Sequence, residues 1–575
     1  MRKLIKRREV IADPALFPNT PQVLVRLYAA RGVSSEDQLQ YELKRLLQPR
    51  LKGLEAALQL LVAALQQQQK IMVVGDFDAD GATSTALVLR CLKSFGHEAV
   101  EFLVPNRFDY GYGLTPEIVD VAAQRSPDLI VTVDNGIASI QGVARAHELG
   151  MRVLVTDHHL PGAVLPDADA IVNPNQPGCE FLSKSAAGVG VVFYVMTALR
   201  TRLRELGWFN DQRREPNLAT FLDLVALGTV ADVVPLDFNN RILIAQGLQR
   251  MRAGHACPGI KAILAVAGRD WQKLTATDLG FVVGPRLNAA GRLDDMSLGI
   301  RCLLADTDGE AQMLAQELDL LNRDRRAIEA VMQKEAVVSL DDMLKSLQGE
   351  LPCGLCLYRE DWHQGVIGIL ASRIKERWHR PVIVFADDGQ GGLKGSGRSI
   401  AGLHMRDILD EIATSRPGLL DKFGGHAMAA GLSLTRDRLD EFSQAFADVV
   451  ARHLGDRGLD PVIESDGELS AADFSLTLAQ QLEAGGPWGQ AFPEPVFDGE
   501  FEIVSQKLVG EKHLKLVLAP VNQAKALVDA IAFNIDVSVW PNPQCRKVLV
   551  AYKLAINEFR GARSVQLMVD YLEPR

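Results

Sequence analysis

From residue 70 onward, short apolar runs alternate with longer amphipathic stretches. "KIMVVGD", "DLIVTVD" and "MRVLVTD" are compact runs of aliphatic residues that end on Asp76, Asp134 and Asp157. Runs of this kind read as strands buried on both faces. "ATSTALVLRCLKSFG" and "ASIQGVARAHELG" lie between them with helical spacing, so the region predicts βαβ units around a parallel sheet. "GLEAALQLLVAALQQQQ" (53–69) predicts a helix ahead of the first strand, and residues 1–50 read as a polar, mostly helical extension.

Further along, Leu314, Leu318, Leu321 and Ile328 recur at helical steps, and residues 308–348 predict one long helix or two in series, able to join two domains. A second α/β region follows, with "GVIGILASRIKERW" as a helix and "RPVIVFA" as the next strand. After the turn-rich "AGGPWGQAFPEP", alternating strands such as "HLKLVLAP" and "RKVLVAYKL" predict an all-β module of OB type. The expected architecture is an N-terminal extension (1–50), an α/β catalytic domain (51–305), a connecting long helix (306–349), a second α/β domain (350–455) and a C-terminal all-β OB-like domain (456–575).

Composition changes this picture little. Apolar residues make up 47% and charged residues 23%, as in a soluble globular protein. The net charge of −10 counts mildly against a nucleic-acid binder. Charge is uneven, however: residues 371–426 carry nine Lys/Arg against seven Asp/Glu, and residues 495–575 carry ten against nine. A neutral-to-basic track is therefore available. The seven cysteines form no disulfide framework, and Cys353 and Cys356 are a lone CxxC that reads as part of a strand. Reduced thiols fit a cytoplasmic protein. "MRKLIKRREV" lacks the apolar region of a signal peptide, and "GVGVVFYVM" is too short to span a bilayer, so no membrane association is expected.

The chemistry lies at the strand ends. In an open parallel sheet the ligand crevice lies beyond the carboxyl ends of the strands. "DFDADG" adds Asp78 and Asp80 to Asp76, "TDHH" adds His158 and His159 to Asp157, and "GTVADVVPL" adds Asp232. Six carboxylates and two imidazoles cannot all stay ionised and unpaired in one crevice. Divalent cations resolve the repulsion. Oxygen donors with one or two imidazoles suit Mn²⁺ or Mg²⁺, and there are donors enough for two ions, the arrangement that supports phosphoryl transfer.

"DFDADG", "VDNG", "TDHH" and "GTVADVVPL" resemble the four motifs of the DHH phosphoesterase family, and "GGHAMAAG" (424–431) resembles the signature of the DHHA1 domain that accompanies it. The resemblance covers nearly the whole chain, including the long helix and the trailing β module. It implies a metal-dependent 5′→3′ exonuclease that degrades single-stranded DNA to mononucleotides in recombination and repair. The strand would thread between the two α/β domains, with a channel too narrow for duplex. By this resemblance Asp78, Asp80, Asp134, His158 and Asp232 are metal ligands, His159 contacts the scissile phosphate and Asp157 orients a histidine. One position departs from the pattern: many relatives carry a histidine four residues before the first ligand aspartate, where this chain has Val74. Asp76 is the substitute at hand, and one ion is then expected to bind weakly or only with substrate. The resemblance also implies a monomer that acts at the nucleoid with a single-strand-binding protein and a repair helicase.

For the substrate, "GPRLNAAGRLDD" carries Arg286, Asn288 and Arg292 in what reads as a Gly/Pro-rich loop. His363 and Gly365 precede a helix that bears Ser372 and Arg373, and a helix N-terminus attracts phosphate. "GLKGSGRS" approaches a P-loop but has Arg398 where lysine belongs, and reads better as a glycine-rich strand and turn. His426 lies among small residues. The resemblance assigns these arginines, with Ser372 and Arg373, to the 5′ end. In the β module Phe501, His513, Phe533, Trp540, Tyr552 and Phe559 are interleaved with Lys507, Lys512, Lys515, Lys553 and Arg560. Two or three of the aromatics are expected to face DNA. Two other readings stay open: a phosphodiesterase for short oligonucleotides or cyclic dinucleotides, and a non-catalytic DNA-binding scaffold.

Overall fold

The computed structural model describes residues 3–11, 13–106, 113–346, 351–389, 391–455, 458–521 and 526–575. Contact density divides the chain into two compact units, Met1–Lys6 with Arg323–Ile463, and Arg7–Asn322 with Glu464–Arg575. The first α/β domain and the OB barrel therefore share the larger unit.

The larger unit is built on five parallel strands in the order Val100–Leu103, Ile71–Val74, Leu129–Val133, Arg152–Thr156 and Ala170–Val172. The chain direction of winding reverses between Ile71–Val74 and Leu129–Val133, which is where such sheets open a ligand crevice. Every residue of these two strands is buried. Alternation decides which face each serves. Ile71, Val73, Leu129 and Val131 pack toward helices Ala79–Ser94, Gly188–Glu205 and Leu222–Ala231, while Met72, Val74 and Ile130 pack toward helices Pro116–Ala123 and Ile140–Glu148. Both faces being covered explains why these strands are almost wholly apolar.

In the same unit, strands Phe497–Val509, His513–Pro520, Val528–Ala532, Ala562–Pro574 and Lys547–Phe559 close into a barrel in that order. This 1-2-3-5-4 closure is the OB arrangement. Phe501, Trp540 and Tyr552 fill its interior, whereas Phe533 and Phe559 are 50% and 65% exposed. Those two present the most surface of the six aromatics named above. His513 stands edge-on to Phe533 at 5.0 Å, and the Arg560 guanidinium covers Phe559 at 5.2 Å. Lys515 and Lys553 are tied to Asp529 and Glu494.

The smaller unit holds a mixed sheet in the order Lys422–Gly425, Ala429–Thr435, Gly392–Arg398, Val382–Asp387 and Leu355–Tyr358, packed on helix Ile367–Trp378. Gly392–Arg398 is a strand, as its glycine-rich sequence suggested, with no P-loop. Gly395 admits Phe385 and Leu432, where any side chain would collide.

Three expectations need correction or sharpening. Residues 1–50 are not mostly helical: among the described residues they hold one strand, Leu4–Arg7, one helix, Gln22–Ala29, and isolated single turns. Pro14, Pro18, Pro21 and Gly32 interrupt helix formation there, and the Leu4 N–H is taken by Pro461 O at 2.9 Å. Residues 308–346 form one continuous helix rather than two, with residues 347–350 outside the described residues, and the boundary between the units falls inside it. "GPRLNAAGRL" is a helix, Gly284–Leu293, not a loop. Pro285 stands in its first turn, where a missing N–H costs nothing. Gly291 serves close packing, since a Cβ there would lie 1.8 Å from Phe77 O. Among the described residues no helix is long and apolar enough to cross a membrane.

Candidate metal centre

Each acidic side chain reaches the crevice by its own local structure. Asp134 follows its strand in a left-handed conformation, φ +61°, which turns the chain sharply at the sheet edge. Asp78 is the N-cap of helix Ala79–Ser94 and accepts the N–H groups of Asp80 and Gly81 at 2.9 and 3.0 Å. Asp80, in the first turn, is buried. Its carboxylate accepts N–H groups from Gly188 and Val189 at 2.6 and 3.0 Å, at the start of helix Gly188–Glu205. The run Asp76-Asp78-Asp80 is thus a loop leading into a helix, not a continuation of the strand. Asp232 is the C-cap of helix Leu222–Ala231. Gly228 of that helix lets it approach Asp80, because a Cβ would lie 2.8 Å from Asp80 Oδ1.

The eight predicted residues converge. His158 Nε2 lies 3.0 Å from Asp134 Oδ1 and 3.4 Å from Asp232 Oδ2. The ligand atoms of Asp80, His158 and Asp232 lie within 4.8 Å of one another, as do those of Asp76, Asp78 and Asp134, and those of Asp134, His158 and His159. Among the described residues no lysine or arginine pairs with Asp78, Asp80, Asp157 or Asp232. Burial, then repulsion from Asp232, pushes Asp80 up to about 7. Burial, then Asp78, does the same to Asp232, also to about 7. Asp134 is raised well above the usual carboxylate range by burial and by the neighbouring Asp80. Burial lowers His158, favouring a neutral imidazole able to ligate.

His159 behaves differently. Burial opposes its charge, but the 2.8 Å bond from its Nδ1 to Asp157 Oδ1 outweighs this and raises it to about 9. Asp157 is buried, which opposes its charge too. Its bond to His159, with backbone N–H donors from Ile137, His158 and His159, holds it below the usual carboxylate range. The two histidines therefore have separate roles: one neutral among acids, one cationic beside them.

A divalent ion fits this donor set. His158 Nε2 and Asp232 Oδ2 are buried atoms that make no hydrogen bond even to each other at 3.4 Å. Donors about 2.1 Å from an octahedral ion stand about 3 Å apart along each edge, close to the separations seen here. Oxygen with imidazole and no thiolate matches Mn²⁺ or Mg²⁺.

Comparison with known proteins matches each of the three domains to a family. The DHH family, N-terminal domain, matches residues 70–229, the DHHA1 domain residues 352–452, and the RecJ OB domain residues 465–571. The single-stranded-DNA-specific exonuclease RecJ of Dickeya dadantii is 57% identical over 570 residues, covering 99% of both chains. The chain belongs to the RecJ family. The RecJ of Escherichia coli is 56% identical over 572 residues, again covering 99% of each chain. The crystal structure of RecJ from Thermus thermophilus in complex with Mn²⁺ superposes with a TM-score of 0.82 at 29% identity, over 100% of this chain and 80% of that one. A Mg²⁺ complex of the same protein gives 0.75 at 27% identity, over 100% and 79%.

The residues expected to bind substrate fall into two groups, one in each unit. In the larger unit, Asn288 Oδ1 accepts the Ala79 N–H at 2.8 Å and so caps the metal-loop helix. Arg286 is held by Asp319 at 2.9 Å and donates to Val282 O, while Arg292 lies in the last turn of the same helix. In the smaller unit, Arg398 bonds to Ser396 Oγ and Gly397 O, with no carboxylate partner among the described residues, and burial lowers it from its ordinary value. It lies over the first turn of helix Ile367–Trp378, where Gly368 leaves room: a Cβ would be 2.9 Å from Arg398 Nη2. His363 Nδ1 accepts the Gly365 N–H just ahead of that helix. Ser372 Oγ bonds back to Gly368 O, and Arg373 is held by Glu329 at 2.9 Å. His426 is exposed in the turn beside Ala429, the residue that pairs with Arg398.

The histidine loop rests on residues that sequence reasoning missed. Asn173 donates to His159 O at 2.9 Å and Asn175 to His158 O at 2.6 Å. Asn135 ties Val74 O to Val133 O across the strand ends. The signal for the first two was present in "NPN" directly after an apolar run, a turn signature that also supplies side-chain amides.

Proposed function

We propose that the chain is a divalent-metal-dependent exonuclease that removes mononucleotides from single-stranded DNA in the 5′→3′ direction, in recombination and repair. The observation that carries this is the convergence of Asp80, Asp134 and Asp232 on a His158 held neutral by burial, with Asp76 and Asp78 beside Asp134, at a sheet's carboxyl edge, in a chain whose relatives are named single-stranded-DNA-specific exonucleases. Two ions suit the donors: one among Asp80, Asp134, His158 and Asp232, the other among Asp76, Asp78 and Asp134. A divalent ion bound there supplies Lewis acidity toward a phosphoryl oxygen and lowers the pKa of its water.

The remaining steps belong to the side chains. Asp157 accepts Nδ1–H of His159 and keeps the ring cationic, which leaves Nε2–H as the donor toward a non-bridging phosphate oxygen. Arg398, with the N–H groups at the start of helix Ile367–Trp378, binds the 5′-terminal phosphate. Arg286 and Arg373 enter with their forks oriented by Asp319 and Glu329. Phe533, Phe559 and Arg560 on the barrel give the strand a surface for stacking without base readout.

Asp157→Asn removes the charge that keeps His159 cationic. The expected result is a loss of about 10–100-fold in kcat, with the alkaline limb of the pH profile moving down from near 9 toward the ordinary histidine range. An unchanged alkaline limb contradicts the role given to His159.

The function itself is tested with the purified full chain, Mn²⁺, and strands labelled at either end. The expected result is release of 5′-label as mononucleotide from the first time point, no early loss of 3′-label, no attack on blunt duplex and complete inhibition by EDTA. Cleavage confined to dinucleotides and short oligomers favours the small-substrate phosphodiesterase; binding without any cleavage favours the scaffold.

A further inference from the structure

Phe281 is 79% exposed in the larger unit, close in sequence to the residues that frame the metal centre. It sits in a single wide π-type turn, Leu279–Val283, that runs directly into helix Gly284–Leu293. Such turns rotate side chains out of the ordinary helical register and recur at functional sites. Glycines press this segment onto the helix that ends at Asp232: a Cβ on Gly280 would lie 3.2 Å from Val230 Cγ1, and one on Gly284 3.3 Å from Ala231 Cβ. Val233, next in the chain after Asp232, is itself 63% exposed and held at φ +62°, a conformation that a β-branched residue rarely adopts. Two apolar side chains are therefore presented to solvent from adjoining segments, both in strained or irregular backbone. One directly follows the C-cap aspartate, and the other lies within two turns of Asn288. A lone exposed phenyl needs no explanation. One carried by a segment packed on the helix that Asp232 caps, whose next residue is itself a strained, exposed valine, does.

Resting on the exonuclease reading, we infer that Phe281 is a base-stacking residue, with Val233 beside it, that holds a nucleobase adjoining the scissile phosphate. Every base offers a π-face, so this contact grips the strand without sequence preference. It also favours unpaired bases, because a base within a duplex already has its stacking partners.

The experiment compares wild type, Phe281→Ala and Phe281→Trp on two 5′-phosphorylated single strands: a 20-nucleotide oligothymidylate, and the same strand with abasic residues at its first three positions. With Mn²⁺, Phe281→Ala is expected to raise KM on the base-bearing strand by about tenfold, with kcat within about twofold of wild type. On the abasic strand the variant and wild type are expected to match, and Phe281→Trp is expected to recover KM on the base-bearing strand. An equal rise on both strands, or none on either, overturns the inference. A wild-type protein inactive on the base-bearing strand overturns the exonuclease reading and this inference together, whereas an active wild type with an unresponsive variant overturns this inference alone.

Discussion

Asp134→Asn is expected to stabilise the metal-free protein by a few degrees while lowering Mn²⁺-dependent nucleolysis by on the order of 10³-fold. Asp134 is buried, surrounded by Asp76, Asp78, Asp80 and Asp232, and raised well above the carboxylate range by burial and by those neighbours. In the metal-free fold this carboxyl must either take up a proton or bear that repulsion, and asparagine does neither. The substitution costs little in shape, because asparagine is isosteric and tolerates the left-handed backbone at φ +61° better than most residues. Calorimetry without metal and a nuclease assay with it give the two readouts. A variant that is both less stable and inactive would show that the carboxylate is there for folding.

The second large effect is a linkage between pH and metal. Asp80 and Asp232 are each raised to about 7 by burial first and by neighbouring acids second. A carboxyl raised in the folded state contributes stability that is complete below its unfolded value, about 4, and lost as pH rises through the folded value. His159, raised to about 9, contributes stability that is complete below its unfolded value of about 6.5 and lost between there and 9, so it steepens the fall above about pH 6.5. Asp157 is lowered, so its contribution disappears only toward acid pH, outside this window. His158, lowered by burial, acts in the opposite direction up to about pH 6.5, but it is one group against the raised Asp80, Asp134 and Asp232, so the melting temperature of metal-free protein should fall between pH 5 and pH 8 by several degrees, most steeply above about pH 6.5. Saturating Mn²⁺ should raise it more at pH 8 than at pH 5, since ligands must be deprotonated to bind. A metal-free melting temperature that is level or rising over this range contradicts the account.

Much of this was legible in the sequence because the signals were local. Strands made almost wholly of apolar residues announced a sheet covered on both faces, and a carboxylate at the end of each announced the crevice. The barrel was readable from alternation. What could not be read depended on packing between distant segments. That the side-chain oxygen of Asn288 accepts the Ala79 N–H, 209 residues earlier in the chain, was not readable from either segment. "GPRLNAAGRL" looked like a loop because glycine and proline usually mark one; here proline opens the helix and Gly291 lets it approach the carbonyl of Phe77. The missing histidine at Val74 has a similar explanation. Val74 faces the helices Pro116–Ala123 and Ile140–Glu148 inside the core, and Asp76 supplies the oxygen near Asp78 and Asp134.

The most direct test is a crystal structure of the full chain grown with Mn²⁺, with data collected across the manganese absorption edge. The account predicts an anomalous peak within about 2.0–2.3 Å of His158 Nε2 and of carboxylate oxygens from Asp80, Asp134 and Asp232. The absence of a peak there at saturating Mn²⁺, with the carboxylates instead bonded to lysine, arginine or one another, would contradict it.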